Sequence, residues 1–196
     1  PNSLRKEFKK MKKIINALLY VYSTASILFA FSSEIDSDAL RYKTMSAVRT
    51  ANPPKIDGKL DDDVWSNAIV LNDFIQYEPY NLESPSVETE VRVLYDDSFI
   101  YIAFENFDPE PSTIMDRISR RDDFEAIEKN VDWVGFGIDS NDDDMTGNWF
   151  MLTAAGVQLD VSINESGGWR DKYDISWNAV WDGKTNIHSQ GWSAEI

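Results

Sequence analysis

The chain contains no cysteine and a single histidine in 196 residues. Disulfides, thiolate catalysis, cysteine-based zinc sites and thioether lipid anchors are thereby excluded. A serine nucleophile needs an imidazole to take its proton, and the one available, His188, stands in a polar stretch between Ile187 and Ser189. A solvent-facing strand position is expected for it. Basic residues are also few, with 19 Lys and Arg against 34 Asp and Glu and a formal charge of -15. Residues 1–32 hold six of the basic side chains and one acid, a charge of +5, so residues 33–196 carry -20. Phosphate backbones and anionic lipid surfaces select for Lys and Arg, which argues against nucleic acid and against polybasic membrane docking. No Gly-rich phosphate loop and no His-Glu-x-x-His zinc helix occurs. Glycoside hydrolysis needs only two carboxylates at a set separation, and an acidic chain supplies these everywhere, so their presence discriminates nothing.

What remains is a chain with 42% apolar residues, enough at this length to bury a core without staples. One domain plus a targeting segment fits the length. Met11-Lys12-Lys13 opens an apolar run from Ile14 to Phe31 that ends at Ser32-Ser33-Glu34. A positive start, an apolar stretch and small residues at Ala30 and Ser32 are the pattern of a secretory signal peptide. Residues 1–32 are assigned to it, with residues 1–10 an over-long start upstream of Met11; the alternative is an uncleaved membrane anchor. The protein is expected to be exported, to the periplasm, the outer membrane or the cell surface. Residues 33–53 are polar, end in Asn52-Pro53-Pro54, and read as a linker.

From residue 54 the pattern is strands and turns. Asp57-Gly58 marks a turn, and Asp61 to Asp63 can cap a short helix carrying Val64, Trp65 and Ala68. Val87, Thr89, Val91, Val93 and Tyr95 alternate with Glu88, Glu90 and Arg92, the signature of a half-buried strand. Asp96-Asp97-Ser98 then turns the chain into the apolar run Phe99–Phe104, giving a hairpin. Further strands are expected at Trp133–Ile138, Trp149–Thr153, Val157–Ile163, Ala179–Trp181 and Trp192–Ile196. Short strands at this spacing predict an all-β fold, a two-sheet antiparallel β-sandwich of immunoglobulin-like or jelly-roll-like form over residues 54–196. The last strand meets Ile196 with no turn after it, so the chain is expected to stop inside the domain.

Two clusters stand out. Asp139-Ser140-Asn141-Asp142-Asp143-Asp144 joins two expected strands, and its hard oxygens suit Ca²⁺, with Asp139, Asp142 and Asp144 as the candidate ligands. The alternative is a solvated acidic hairpin tip. It is not an EF-hand loop, because Asp144 and Phe150 stand where Gly and Glu would be needed. Six of the seven Trp lie between residues 133 and 192. Sugar rings present apolar C–H faces and rims of hydroxyls, and Trp and Tyr offer flat area at low entropic cost. Trp169 follows Ser166-Gly167-Gly168 and precedes Arg170-Asp171, a polar setting that favours an exposed platform. Trp169, Arg170, Asp171, Tyr173 and Trp177 form the candidate substrate-binding set. Trp65, Trp133 and Trp192 sit in apolar patterns and are assigned to the core.

The run Ile56-Asp57-Gly58-Lys59-Leu60-Asp61-Asp62-Asp63-Val64-Trp65 is followed by Leu94-Tyr95-Asp96-Asp97, Asp108-Pro109-Glu110-Pro111, Arg120-Arg121-Asp122, Trp177-Asn178-Ala179-Val180-Trp181 and Gly191-Trp192-Ser193-Ala194-Glu195-Ile196. In this order the motifs resemble modules similar to family 9 carbohydrate-binding modules, in the subgroup found before outer-membrane-barrel-like partners. The resemblance implies a β-sandwich that binds a polysaccharide or oligosaccharide and has no catalytic residues of its own. It also implies a C-terminal domain of the same full-length protein as partner. Two alternatives carry over: an accessory domain of a glycoside-degrading enzyme, and a structural module packed on a barrel without sugar binding. The export reading predicts a mature N-terminus near Ser33. N-terminal sequencing of exported material checks it, and material still beginning at Met11 contradicts it.

Overall fold

The structure, a computed structural model, describes residues 44–125, 131–168 and 171–196. The expected signal peptide and the expected linker up to Lys43 lie outside the described residues. Ten strands are described: β1 (Val48–Arg49), β2 (Val70–Leu71), β3 (Thr89–Tyr95), β4 (Ile100–Phe107), β5 (Trp133–Ile138), β6 (Thr146–Thr153), β7 (Gln158–Asn164), β8 (Tyr173–Asp174), β9 (Lys184–His188) and β10 (Gly191–Glu195). They form two sheets. In the first, β3, β4, β10 and β9 run antiparallel, while β1 (parallel) and β2 (antiparallel) share the outer edge of β3. The second is antiparallel in the order β5-β6-β7-β8. Val91, Ile102, Phe104, Trp192 and Ala194 from the first sheet meet Val134 and Leu152 from the second in one buried cluster. The expected two-sheet β-sandwich is the fold.

Local chemistry explains the turns. The Asp96 carboxylate accepts the backbone N–H groups of Ser98 (2.7 Å) and Phe99 (2.8 Å) and the Tyr101 hydroxyl (2.7 Å), closing the β3–β4 hairpin as an Asx-type turn. These hydrogen bonds, that from Ser98 foremost, hold its pKa below the ordinary Asp value. Some expectations are corrected. Val48 and Arg49, read as linker, pair with Leu94 and Tyr95. Ala179–Trp181 forms no strand, and the capped helix at Asp61–Asp63 is a 3-10 turn, Asp63–Asn67. β3 is buried on both faces, because Trp65 from that turn packs over Leu94, Tyr101 and Ala103. Alternation at Val91 and Val93 therefore shows only one of its two buried sides.

One buried carboxylate ties the start of the domain to the centre of the first sheet. Glu195 on β10 is fully buried, and its Oε2 accepts the backbone N–H groups of Asp57 and Gly58, both at 2.8 Å, while Oε1 accepts Trp65 Nε1–H at 2.8 Å. Ser193, two residues earlier on the same face, donates its hydroxyl to the Gly58 carbonyl at 2.6 Å. Gly58 has φ +86, and a Cβ there would stand 2.6 Å from the Thr185 carbonyl carbon. Only glycine meets both demands.

Burial raises the Glu195 pKa above the ordinary Glu value, against the pull of its three donors. An acid whose pKa is higher folded than unfolded holds its proton more tightly in the folded state. Its contribution to stability is full below the unfolded pKa and is lost as pH rises through the folded one. The Tm of the native protein minus that of the Glu195→Gln variant is expected to grow as thermal melts go from about pH 7 to about pH 4. A difference that shrinks over that interval contradicts the assignment.

Candidate functional site

The second sheet turns one face to the first sheet and one away from it. On β5, Val134 and Phe136 point inward with the core cluster, so Trp133, Gly135 and Gly137 share the outward face. Across β6 their partners are Thr153, Met151 and Trp149. Trp133 is 42% exposed and Trp149 38%. Each indole lies against a glycine. A Cβ at Gly135 would stand 3.1 Å from Trp133 Cζ3, and one at Gly137 would stand 3.0 Å from Trp149 Cδ1. The row continues to β8, where Tyr173, 40% exposed, packs its ring 5.7 Å from that of Trp149 at 44°. Lys172 lies 5.3 Å from the Tyr173 ring centre and pairs with Glu165 at 2.7 Å. The hydrogen bond from Lys172 to Glu165 is the main cause of its raised pKa.

A shallow depression over this face is lined by Trp133, Gly135, Phe136, Gly137, Trp149, Phe150 and Met151. A second adjoins it at Trp149 and reaches Asp139, Asp144, Asn148 and Glu165. No basic side chain lines either one. Flat aromatic surface beside carboxylate acceptors can hold a ring with an apolar face and a hydroxyl rim.

The sequence-based candidates are divided by this geometry. Trp169 and Arg170 lie outside the described residues. Asp171 is exposed, and its backbone N–H donates to the Gly168 carbonyl at 2.8 Å. Tyr173 belongs to the outward aromatic row. Trp177 does not: it meets Phe150 edge-on at 5.9 Å, beside Trp181 at 5.6 Å, and Phe150 belongs to the inward side of β6. The loop carrying these two indoles is pinned by the fully buried Asp160, which accepts Arg121 Nη2–H and Ala179 N–H, each at 2.5 Å. Trp65 and Trp192 are buried as expected. Trp133 is not in the core, a correction whose cause is its strand parity with two glycines. Trp133 and Trp149 were the residues missed.

The acidic hairpin satisfies its own backbone. Asp139 accepts the N–H groups of Asn141 (3.0 Å), Asp143 (3.0 Å) and Asp144 (2.9 Å). Asp143, not among the candidate ligands, accepts Met145 N–H at 2.8 Å and Thr146 N–H at 2.7 Å, and these bonds, that from Thr146 first, lower its pKa. Asp142 and Asp144 take positive φ. Among the described residues no group of three His, Asp or Glu is gathered around a common point suited to a metal ion. His188 lies on β9 and is also engaged. Its Nδ1 accepts Gln190 N–H at 3.3 Å, and its Nε2 stands 2.9 Å from Glu105 Oε1.

No protein-family profile and no curated protein matches this chain. A solved carbohydrate-binding module of family 9 from Caldicellulosiruptor kristjanssonii, in complex with cellotriose, superposes with a TM-score of 0.51 at 18% identity, over 76% of this chain and 64% of that module. The fold is family 9-like. A structure of the same kind of module with glucose gives a TM-score of 0.49, also at 18% identity, over 76% of this chain and 66% of that one. This chain thus spans about two thirds of the length of the family 9 module. The motifs that carried the sequence resemblance, Ile56–Trp65 and Gly191–Ile196, meet through Glu195 and Ser193 and serve the fold.

The outward position of Trp133 has a direct consequence for stability. Trp192→Ala empties a core site and is expected to cost about 3–5 kcal/mol. Trp133→Ala, at a half-solvated surface site, is expected to cost well under half of that, as chemical denaturation would measure. Equal losses contradict the outward placement.

Proposed function

We propose that this chain is the non-catalytic glycan-binding β-sandwich of an exported protein, and that the outward face of its second sheet binds the sugar. The observation that carries the reading is the row Trp133, Trp149 and Tyr173, three flat side chains each about two-fifths exposed on one sheet face. Indole and phenol faces stack on the apolar C–H faces of pyranoses, and the carboxylates of Asp139 and Glu165 beside them accept hydrogen bonds from hydroxyls. The family 9 module that shares the fold was solved with cellotriose, which supports a sugar as the ligand class. The engaged imidazole of His188 supports a binding role over hydrolysis by a serine nucleophile. In the whole protein the module would precede a C-terminal domain at the cell envelope, as the sequence resemblance implies.

A second reading draws on the same exposed rings: a structural module that buries this face against a barrel partner. Retention in native affinity gels containing hydroxyethylcellulose, xylan, laminarin or pullulan separates the two. The native chain is expected to be slowed by at least one of these polymers. Trp149→Ala is expected to abolish the retardation, and Trp133→Ala to weaken it at least tenfold, with melting temperatures close to native. Retention by both variants at native strength, with loss in Trp169→Ala instead, would move the site to the Gly-rich loop. No retention by any polymer would favour the structural reading.

A further inference from the structure

The third ring of the aromatic row stands on the shortest strand of its sheet. β8 consists of Tyr173 and Asp174 and pairs with β7 at Ile163 and Ser162. Trp149, by contrast, is carried within β6, which is hydrogen-bonded to β5 on one side and to β7 on the other. A two-residue edge strand frays easily and holds a ring poorly by itself.

The connection from β7 to β8 is closed by other groups. Asn164, the last residue of β7, donates its N–H to the Lys172 carbonyl at 2.9 Å. One residue further out, the Lys172 ammonium meets Glu165 Oε1 at 2.7 Å. Glu165 is itself fixed, because its N–H donates at 2.7 Å to the carbonyl of Met145, in the hairpin that joins β5 and β6. The same ammonium stands 5.3 Å from the centre of the Tyr173 ring, within the range of cation–π attraction. That ring packs 5.7 Å from Trp149. Contacts therefore run from Glu165 through Lys172 and Tyr173 to Trp149.

From this geometry we infer that Lys172 is a positioning residue of the glycan site, held by Glu165 and holding the Tyr173 ring in the aromatic row. The proposal rests on the glycan-binding reading above. Lys172 acts through the ring and needs no contact with the sugar. A side chain free before binding must be ordered when the ligand arrives, which lowers affinity, so a ring fixed in advance binds more tightly. Glu165 gives Oε1 to Lys172, which leaves Oε2 for a hydroxyl. The side chains of Lys172 and Glu165 are 29% and 46% exposed, so the pair is screened by salt and its influence is modest.

The test uses the full chain and a neutral hexasaccharide of whichever polymer in the affinity-gel panel retards it. Lys172→Met keeps the apolar stem and removes the ammonium. By calorimetry it is expected to weaken binding two- to fivefold, with Tm close to native, and Lys172→Arg is expected to restore most of the loss. In a Tyr173→Ala background Lys172→Met is expected to leave affinity unchanged, because the ring through which it acts is gone. A general structural role would weaken binding in both backgrounds. The ligand carries no charge, so affinity of the native chain is expected to fall about twofold between about 0.02 M and about 0.5 M NaCl, and that of Lys172→Met to stay constant. Native affinity in folded Lys172→Met, or an equal loss with and without Tyr173, overturns the proposal while leaving glycan binding in place. If Lys172→Met does not fold, the salt series on the native chain decides, and affinity independent of salt overturns the proposal. Failure of every polymer to retard the chain overturns the underlying reading and the proposal with it.

Discussion

The fold depends on a carboxylate taken out of water. Glu195 sits in β10, an interior strand of the first sheet, with no exposed surface and spends both oxygens on Asp57, Gly58 and Trp65. Burial of an ionised group is costly unless its hydrogen bonds are made. Each bond to a charged acceptor contributes about 1.5–3 kcal/mol, and three of them offset much of that cost. Geometry follows from the bonding. Trp65 is held over Leu94, Tyr101 and Ala103, which covers the far face of the first sheet and leaves its near face to pack on the second.

One face of the first sheet is covered by the Trp65 turn and the other by the second sheet, which carries aromatic side chains on both of its own faces. Inside the second sheet, Phe136 and Phe150 stack at 5.1 Å, and the Asp160–Arg121 pair anchors the loop that brings Trp177 and Trp181 against them. Outside it, Leu159 and Val161 of β7 are buried, and Trp133, Trp149 and Tyr173 form the exposed row. Glycine on β5 is what separates these outcomes. Side chains at 135 and 137 would prop the indoles away from the sheet, whereas bare backbone lets them lie down as platforms.

Much of this was legible in the sequence, and the rest has identifiable causes. Trp133–Ile138 was read with the strand limits found, and β3 and β4 were read as a hairpin, because their apolar residues alternate or cluster between turn residues. β9, with Lys184, Asn186 and His188, is too polar for its limits to show in the sequence beyond the strand position expected for His188, and it forms through pairing with β10, a tertiary effect. The placement of Trp133 was present in the pattern but was overridden by its apolar neighbours. Val134 and Phe136 are in phase with each other, so Trp133 is in phase with Gly135 and Gly137, which cannot form a core. The Glu195 clamp joins residues 138 and 130 positions apart, and no local pattern reveals such a contact. At the hairpin tip the sequence shows the carboxylates of Asp139 to Asp144 but not the N–H groups that Asp139 and Asp143 accept, which depend on the turn's backbone geometry.

The outward indoles are expected to meet the sugar while the buried ones do not, and indole Nε1–H resonances report on each Trp separately. In a ¹⁵N-labelled sample titrated with a hexasaccharide of the retained polymer, the signals assigned to Trp133 and Trp149 are expected to shift with ligand. Those of Trp65, whose Nε1–H is bound to Glu195, and of the core residue Trp192 are expected to stay in place. Shifts confined to Trp177 and Trp181, with Trp133 and Trp149 unmoved, would contradict the account and place the sugar on the opposite side of the sheet.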